Sequence, residues 1–535
     1  MTLQRSFAPR RRSVLRAGSG LLAAAALGGR ARAAEAGSRL RVGLAAPNTT
    51  MDPHLQSNAP NNAVASHIFD TLVTNDEQSR STPGLAESWR VIDDTHWEFR
   101  LRQGVRFTDG ADFTAADAIA SIRRATDIPS TASFRTYTRG IKTMTAPDPH
   151  TLLIETHGPD PLLTNSLSRV RIISARFADA PSGDFNTGKA AVGTGPFVFK
   201  EYVPGSHVAL TRNEGWWGPK AVWTEVLLRT VTDPGSRLAT LLAGDLDLIE
   251  SVPAQGSERL KADARFQLIR GISSRLVYVA MDQRREVTPF ITDKDGKPLS
   301  ANPLRDVRVR QALDCAINRQ ALVERVMDGN AVAASQFLPT GAPGTAPGLE
   351  PTRYDPERAK ALLSQAGLPQ GFRLTMHGPN DRYINDSRIV QAVAQMFNRV
   401  GIETKVEVMP WAVYAGRSVN GDFSVFLASW GVNTGETSNP LSATVATQDK
   451  PAGLGIANDA GYSNPGVDSR LKQALRTMDD GGRNALLGEA CALAFKDAAI
   501  LPLHHEVTVW GARKDITYAT RADQYTLATG VGRTA

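Results

Sequence analysis

Met51-Asp52-Pro53-His54 opens a stretch that continues through His67-Ile68-Phe69-Asp70-Thr71-Leu72 and Pro83-Gly84-Leu85-Ala86-Glu87-Ser88-Trp89. It goes on with Trp97-Glu98-Phe99-Arg100-Leu101-Arg102 and closes with Val105-Arg106-Phe107-Thr108-Asp109-Gly110 and Thr114-Ala115-Ala116-Asp117. Within it, His96–Arg102 alternates bulky apolar and polar residues, the period of a half-buried strand. Thr114 stands where a helix over Thr114–Thr126 needs its N-cap.

Outward from this stretch, strands and helices interleave, which predicts a mixed α/β protein. Arg39–Leu44 reads as an opening strand, and further strands are expected at His207–Thr211, Val226–Val231 and Leu276–Met281. Asp233-Pro234 starts a helix, because Asp caps and Pro fits the first helical position. Val307–Met327 reads as one long amphipathic helix. Asp355-Pro356 starts a helix that stops at Gly367, Arg373–His377 is a strand, and Ser387–Val400 is a helix ending at Gly401. Glu403–Met409 is a strand, and the apolar run Phe423–Ser429 suits a strand covered on both faces. Helices at Asp468–Thr477 and Arg483–Lys496 lead to a closing strand over Ile500–Trp510.

Of the 535 residues, 61 are basic and 54 acidic, a formal excess of +7. Residues 1–33 hold seven arginines and no acid, so that segment accounts for the whole excess. It fits a twin-arginine signal peptide: Arg10-Arg11-Arg12-Ser13-Val14-Leu15-Arg16, then an apolar run from Ala17 to Gly29, then Ala31-Arg32-Ala33 for a signal peptidase. The apolar run is too short for a membrane span, which needs about 20 apolar residues. With no cysteine near the cleavage site, a lipid anchor is not expected. The neutral mature chain has no overall field to attract nucleic acid, and periplasmic localisation follows from the leader. The mature length allows two or three domains. Cys315 and Cys491, the only cysteines, are expected to be buried free thiols, although an oxidising periplasm permits a bridge.

The ordered elements from Met51 to Asp117 closely resemble the signature region of the bacterial extracellular solute-binding proteins of family 5. These are the dipeptide-, oligopeptide- and nickel-binding components of ABC importers. Further matching blocks are Gly193-Thr194-Gly195-Pro196-Phe197, Asn213-Glu214-Gly215-Trp216-Trp217 and Asp306-Val307-Arg308-Val309-Arg310-Gln311-Ala312-Leu313. The resemblance implies a two-lobed periplasmic-binding-protein fold, class II-like and of cluster C, with an extra domain and a hinge between the lobes. By the same resemblance, residues 34–70, 182–285 and 500–535 form a discontinuous domain I, 71–181 domain II, and 286–499 domain III, the second lobe. It implies a monomeric receptor with no catalysis, cofactor or metal, delivering a peptide or peptide-like solute to a permease and ATPase on separate chains. A nickel or metal-chelate solute, or another non-peptide one, is the alternative.

Ligand-lining loops of the family match three stretches: Ser57-Asn58-Ala59, Phe134, and Ser429-Trp430-Gly431-Val432-Asn433. Trp411 and Trp430 offer apolar walls. Peptide binders of the family commonly carry an Asp three residues after the Trp, where it pairs with the peptide ammonium; Asn433 stands there instead. An uncompensated buried cation costs several kcal/mol. Either Glu436 or Asp422 therefore takes the role, or the solute is acidic, blocked or not a peptide. Arg382, beside Tyr383, and Arg417 are candidates for a solute carboxylate, since the guanidinium fork matches it with two parallel bonds.

The competing class is an exported hydrolase. It would rest on Ser469-Arg470-Leu471-Lys472, an S-x-x-K pattern, or on His504-His505-Glu506. The first lacks its K-T-G partner, because Lys142-Thr143 is followed by Met144. In a strand, adjacent residues of the second point to opposite faces.

Overall fold

The computed structural model describes residues 38–130, 132–432 and 434–534. The export segment lies outside the described residues. Strands and helices interleave as the sequence predicts, and the strands of the main sheet number twelve among the described residues.

Along this sheet the order is Ile291–Thr292, Arg373–Pro379, Val425–Gly431, Phe266–Met281, Leu501–Arg513, Leu248–Ile249, Arg39–Leu44, Glu225–Thr230, His207–Arg212 and Phe197–Val203. Glu403–Met409 and Ala331–Ala333 pair off this path. Two long strands, Phe266–Met281 and Leu501–Arg513, run antiparallel at its centre. They join an apolar core around Leu40, Val42, Phe69 and Phe197 to two others. One surrounds Val279, Leu313, Phe372 and Leu427; the second surrounds Phe337, Phe426, Leu471 and Leu487. A separate antiparallel sheet, Ala86–Asp93, His96–Leu101, Thr151–Thr156 and Ile141–Asp148 in that order, packs its apolar face on the helix Ala115–Asp127. That helix starts with a capping box, in which the Asp117 carboxylate accepts from the Thr114 amide at 2.8 Å.

Most predicted elements stand within a few residues of their expected bounds, because caps and glycines mark them. Asp233 and Asp355 cap Pro234–Leu242 and Pro356–Gln365. Gly401 takes a left-handed φ of 91° after the helix Asp386–Asn398. Two elements differ. Val307–Met327 is not one helix: it runs from Val307 to Ala316, breaks at an extended Ile317, and restarts where Asn318 caps a short turn and a π-helical segment, Leu322–Val326. The break lets the buried Arg319 donate to the Pro502 carbonyl at 2.7 Å, a tertiary demand that helical periodicity does not reveal. The strand expected from Leu276 begins at Phe266. Its first half pairs with residues 507–513 and carries polar residues that mask the alternation.

Cys315 and Cys491 are free and buried, in different cores. Ser469 and Lys472 lie exposed on the helix Pro465–Ala474. No helix among the described residues is long and apolar enough to cross a membrane.

Candidate functional site

A bulge in the central strand pair builds the candidate site. The register of Phe266–Met281 against Leu501–Arg513 shifts between Ile272 and Leu276. This frees Ser273, Ser274 and Arg275 from regular pairing on that side. The Ser274 hydroxyl donates to the Val432 carbonyl at 2.7 Å and the Ala522 carbonyl at 3.1 Å, tying three segments together. Arg275 pairs across with Gly431. A side chain at Gly431 would put its Cβ 3.1 Å from the guanidinium, so the glycine makes room for it.

Arg275 reaches two groups on the same face. Its Nη1 lies 3.4 Å from the Ser429 hydroxyl, and its Nε lies 3.5 Å from Glu506. Glu506 is buried. Burial pushes its carboxyl pKa up, while Arg275, the Gln524 amide at 3.4 Å and the charge of Arg382 draw it back.

Arg382 and Tyr383 follow the strand Arg373–Pro379 in a loop fixed by Asp386, whose Oδ2 accepts from both backbone amides at 2.9 and 3.1 Å. The Arg382 guanidinium stands 5.2 Å from the centre of the Trp411 ring, within cation–π range. Tyr383 and Trp411 meet edge to face at 6.2 Å. Burial pushes the Tyr383 hydroxyl up to about 12, so it stays protonated and can donate. The Trp430 indole donates to Asn439 at 2.8 Å. Arg382, Tyr383, Trp411, Ser429, Trp430 and Gly431 thus gather near the broken register, with Arg275 and Glu506 beside them.

Other expected residues lie apart from this group. Arg417 is engaged by Glu407 at 3.2 Å and Asp422 at 3.6 Å, with its guanidinium over Phe423. Phe134 is fully buried in the core under the smaller sheet, against His54 and Tyr137. Asn58 caps the helix Ala59–Ala65, Ala59 is exposed, and the Ser57 amide donates to the Ala132 carbonyl at 2.8 Å. No hydrogen bond or ring contact among the described residues joins Ser57, Asn58, Ala59 or Phe134 to the Arg382 group. Asn433 lies outside the described residues. Glu506 stands in the interior strand Leu501–Arg513 with His504 and His505, which pair with Val277 and Leu276. Sequence reading missed Arg275 and the role of Glu506. The one available signal was the charged Arg275 at the head of the apolar run Leu276–Met281.

The segments that meet at this end of the molecule also touch directly. Asn165 donates to the Thr434 carbonyl at 2.5 Å, and Ala522 donates to the Glu77 carbonyl at 2.7 Å. Gly435, at φ 71°, packs its α-carbon against the Ser79 carbonyl.

Residues 80–452 match the bacterial extracellular solute-binding proteins, family 5 Middle. The chain belongs to this family. Family 5 proteins are the solute-binding components of ABC importers, with a two-lobed α/β fold, and this chain is one of them. It is similar to the glutathione-binding protein GsiB of Salmonella typhi, 29% identical over 481 residues, covering 88% of this chain and 89% of the relative. The structure of HbpA2 from Haemophilus parasuis superposes with a TM-score of 0.79 at 23% identity, covering 93% of this chain and 100% of the other. DppA from Helicobacter pylori, in complex with the peptide STSA, gives 0.73 at 24%, covering 94% and 99%. At these identities the two structures establish the fold.

Proposed function

We propose that the protein is a periplasmic receptor that captures a small peptide or peptide-like solute bearing a carboxylate, closes its two lobes over it, and presents it to a permease without altering it. The observation that carries this reading is the pair Arg275 and Arg382, both acting on Glu506, among Tyr383, Trp411 and Trp430. Two guanidiniums beside one buried carboxylate leave positive charge for a solute anion, and aromatic walls exclude water from the contact. The similarity to GsiB and DppA, proteins named for glutathione and crystallised with a peptide, supports the solute class.

The same reading includes export by the twin-arginine route with cleavage after Ala33, action as a monomer, and the division into domains I, II and III given above. Calorimetry tests the solute class. Peptides and glutathione with free carboxylates should bind, and the C-terminal amides should bind at least about tenfold more weakly. Mass spectrometry of the recovered solute should find it intact. Equal affinity for acids and amides refutes the carboxylate reading, and a cleaved product refutes the receptor.

A further inference from the structure

The four-stranded sheet places Ile141–Asp148 at an edge, paired on one side with Thr151–Thr156 and exposed along most of its length. Edge strands present outward N–H and C=O groups that can take up another chain as a further strand. The register shifts at Lys142 and again between Thr145 and Asp148, where Pro147 lies. Thr143–Thr145 is therefore the regular part of this edge. Among the described residues, no loop or turn forms a backbone hydrogen bond to it.

Beside this edge runs a groove of about 540 Å³, lined on its other side by residues of the helices Ala115–Asp127 and Arg135–Thr138. Four of its lining side chains are cationic, Arg123, Arg135, Arg139 and Lys142, against one carboxylate, Asp127. Lys142 is engaged by Glu155 at 2.7 Å, and Arg135 lies 3.9 Å from Asp127. Arg123 and Arg139 are exposed and make no ion pair among the described residues. Gly453 leaves room for the Arg139 guanidinium, which a Cβ there would meet at 2.7 Å. Two cations thus stand without a counter-ion beside a strand edge with unused backbone groups.

We infer that this groove is a docking site for an extended acidic segment of a partner protein, seated along Thr143–Thr145 with its carboxylates toward Arg123 and Arg139. Charge complementarity selects the occupant. A second copy of this edge would set Lys142 and the arginines against their own kind. A groove sunk between a strand and two helices admits a single chain, whereas the face of an anionic membrane is flat. Neither Arg275 nor Arg382 lines the groove, so the inference goes beyond the solute reading.

Fluorescence anisotropy on the mature protein at low salt, with an end-blocked Glu-Val repeat peptide as the probe, tests it. The peptide should bind, and a Gln-Val repeat should bind at least about tenfold more weakly. Added salt should weaken the first, because exposed charges are screened. Combining Arg123→Gln with Arg139→Gln should weaken it about tenfold as well; both side chains are exposed and without ion pairs, so the fold should be kept. Excess glutathione should not displace the peptide, and hydrogen exchange should show protection at Thr143–Thr145. No binding by the wild type overturns the inference. So does equal binding of the Gln-Val repeat, undiminished binding by the double variant, displacement by glutathione, or protection only elsewhere. Binding of phosphatidylglycerol vesicles but not of the peptide would assign the groove to a lipid surface and equally overturn it.

Discussion

Arg275 and Glu506 face each other across two central strands at 3.5 Å, the arginine half exposed at the seam and the glutamate buried behind it. The arginine keeps a buried carboxylate from standing alone, and in the proposed receptor it also offers charge to the solute. Arg275→Met should lower stability by less than the roughly 3–5 kcal/mol of a fully buried broken pair, and weaken carboxylate solutes at least about tenfold. Adding Glu506→Gln should restore the melting temperature but not the affinity. If both recover together, Arg275 only balances Glu506.

Burial raises the Glu506 pKa in the folded protein. The native state then binds more protons than the unfolded chain between the ordinary carboxylate range and that raised value, so this group's contribution to stability falls as pH rises through the window. Glu506→Gln should remove that slope in denaturant titrations. An unchanged pH profile would count against a perturbed Glu506.

Five buried histidines act in the opposite sense. Burial, the main cause at each, brings His54, His67, His377 and His505 down to about 4 and His504 to about 3. Their unfolded forms bind protons near 6.5, so stability is lost as pH falls from there toward 4, at up to about 1.4 kcal/mol per pH unit for each histidine. Neither ring nitrogen of His504 has a hydrogen-bond partner among the described residues. His504→Leu should therefore raise stability by about 1–3 kcal/mol and reduce acid sensitivity. Urea titrations at pH 7 and pH 5 check both; loss of stability at both pH values would show that the imidazole is needed.

Asp52 and Arg124 form a buried pair at 2.6 Å that ties the Met51–His54 turn to the helix Ala115–Asp127. Burial alone would raise the Asp52 pKa, but the bonds from Arg124, His54 and Ser182 hold it below the usual range. Its contribution is present above the ordinary carboxylate pKa and lost as pH falls through the lowered one. Arg124→Met should cost about 3–5 kcal/mol at neutral pH, measured by urea unfolding. A loss under about 1 kcal/mol would mean that the turn is held by other contacts.

Gly435 meets the Ser79 carbonyl so closely that a Cβ would overlap it, and its φ of 71° is unfavourable to any side chain. Solute should reduce the radius of gyration of the wild type in small-angle scattering, and Gly435→Ala should diminish that change and weaken binding. Full compaction of the variant would place the closing contact elsewhere.

Export gives a separate test. Replacing Arg11 and Arg12 with Lys should leave the precursor in the cytoplasm, and N-terminal sequencing of exported protein should begin at Ala34. Normal export of the variant would rule out the twin-arginine route.

The sequence by itself determined the family and the main strands and helices that carry a local signal. The signals are local: caps at Thr114, Asp233 and Asp355, glycine stops, alternation in His96–Leu101, and the ordered residues from Met51 to Asp117. It also named Arg382, Tyr383, Trp411 and Trp430 as candidates alongside Ser57, Asn58, Ala59, Phe134 and Arg417, without saying which of them come together. Tertiary structure alone decided which charges are already spent. Arg417 and Arg382 read alike in sequence, yet Glu407 and Asp422 occupy the first. The second stacks over Trp411 with no such ion pair among the described residues. Arg275 and Glu506 are far apart along the chain and meet through strand pairing, as do Ser79 and Gly435 through the close approach of their loops. No local period encodes those distances, just as none signalled the break at Ile317 that buries Arg319.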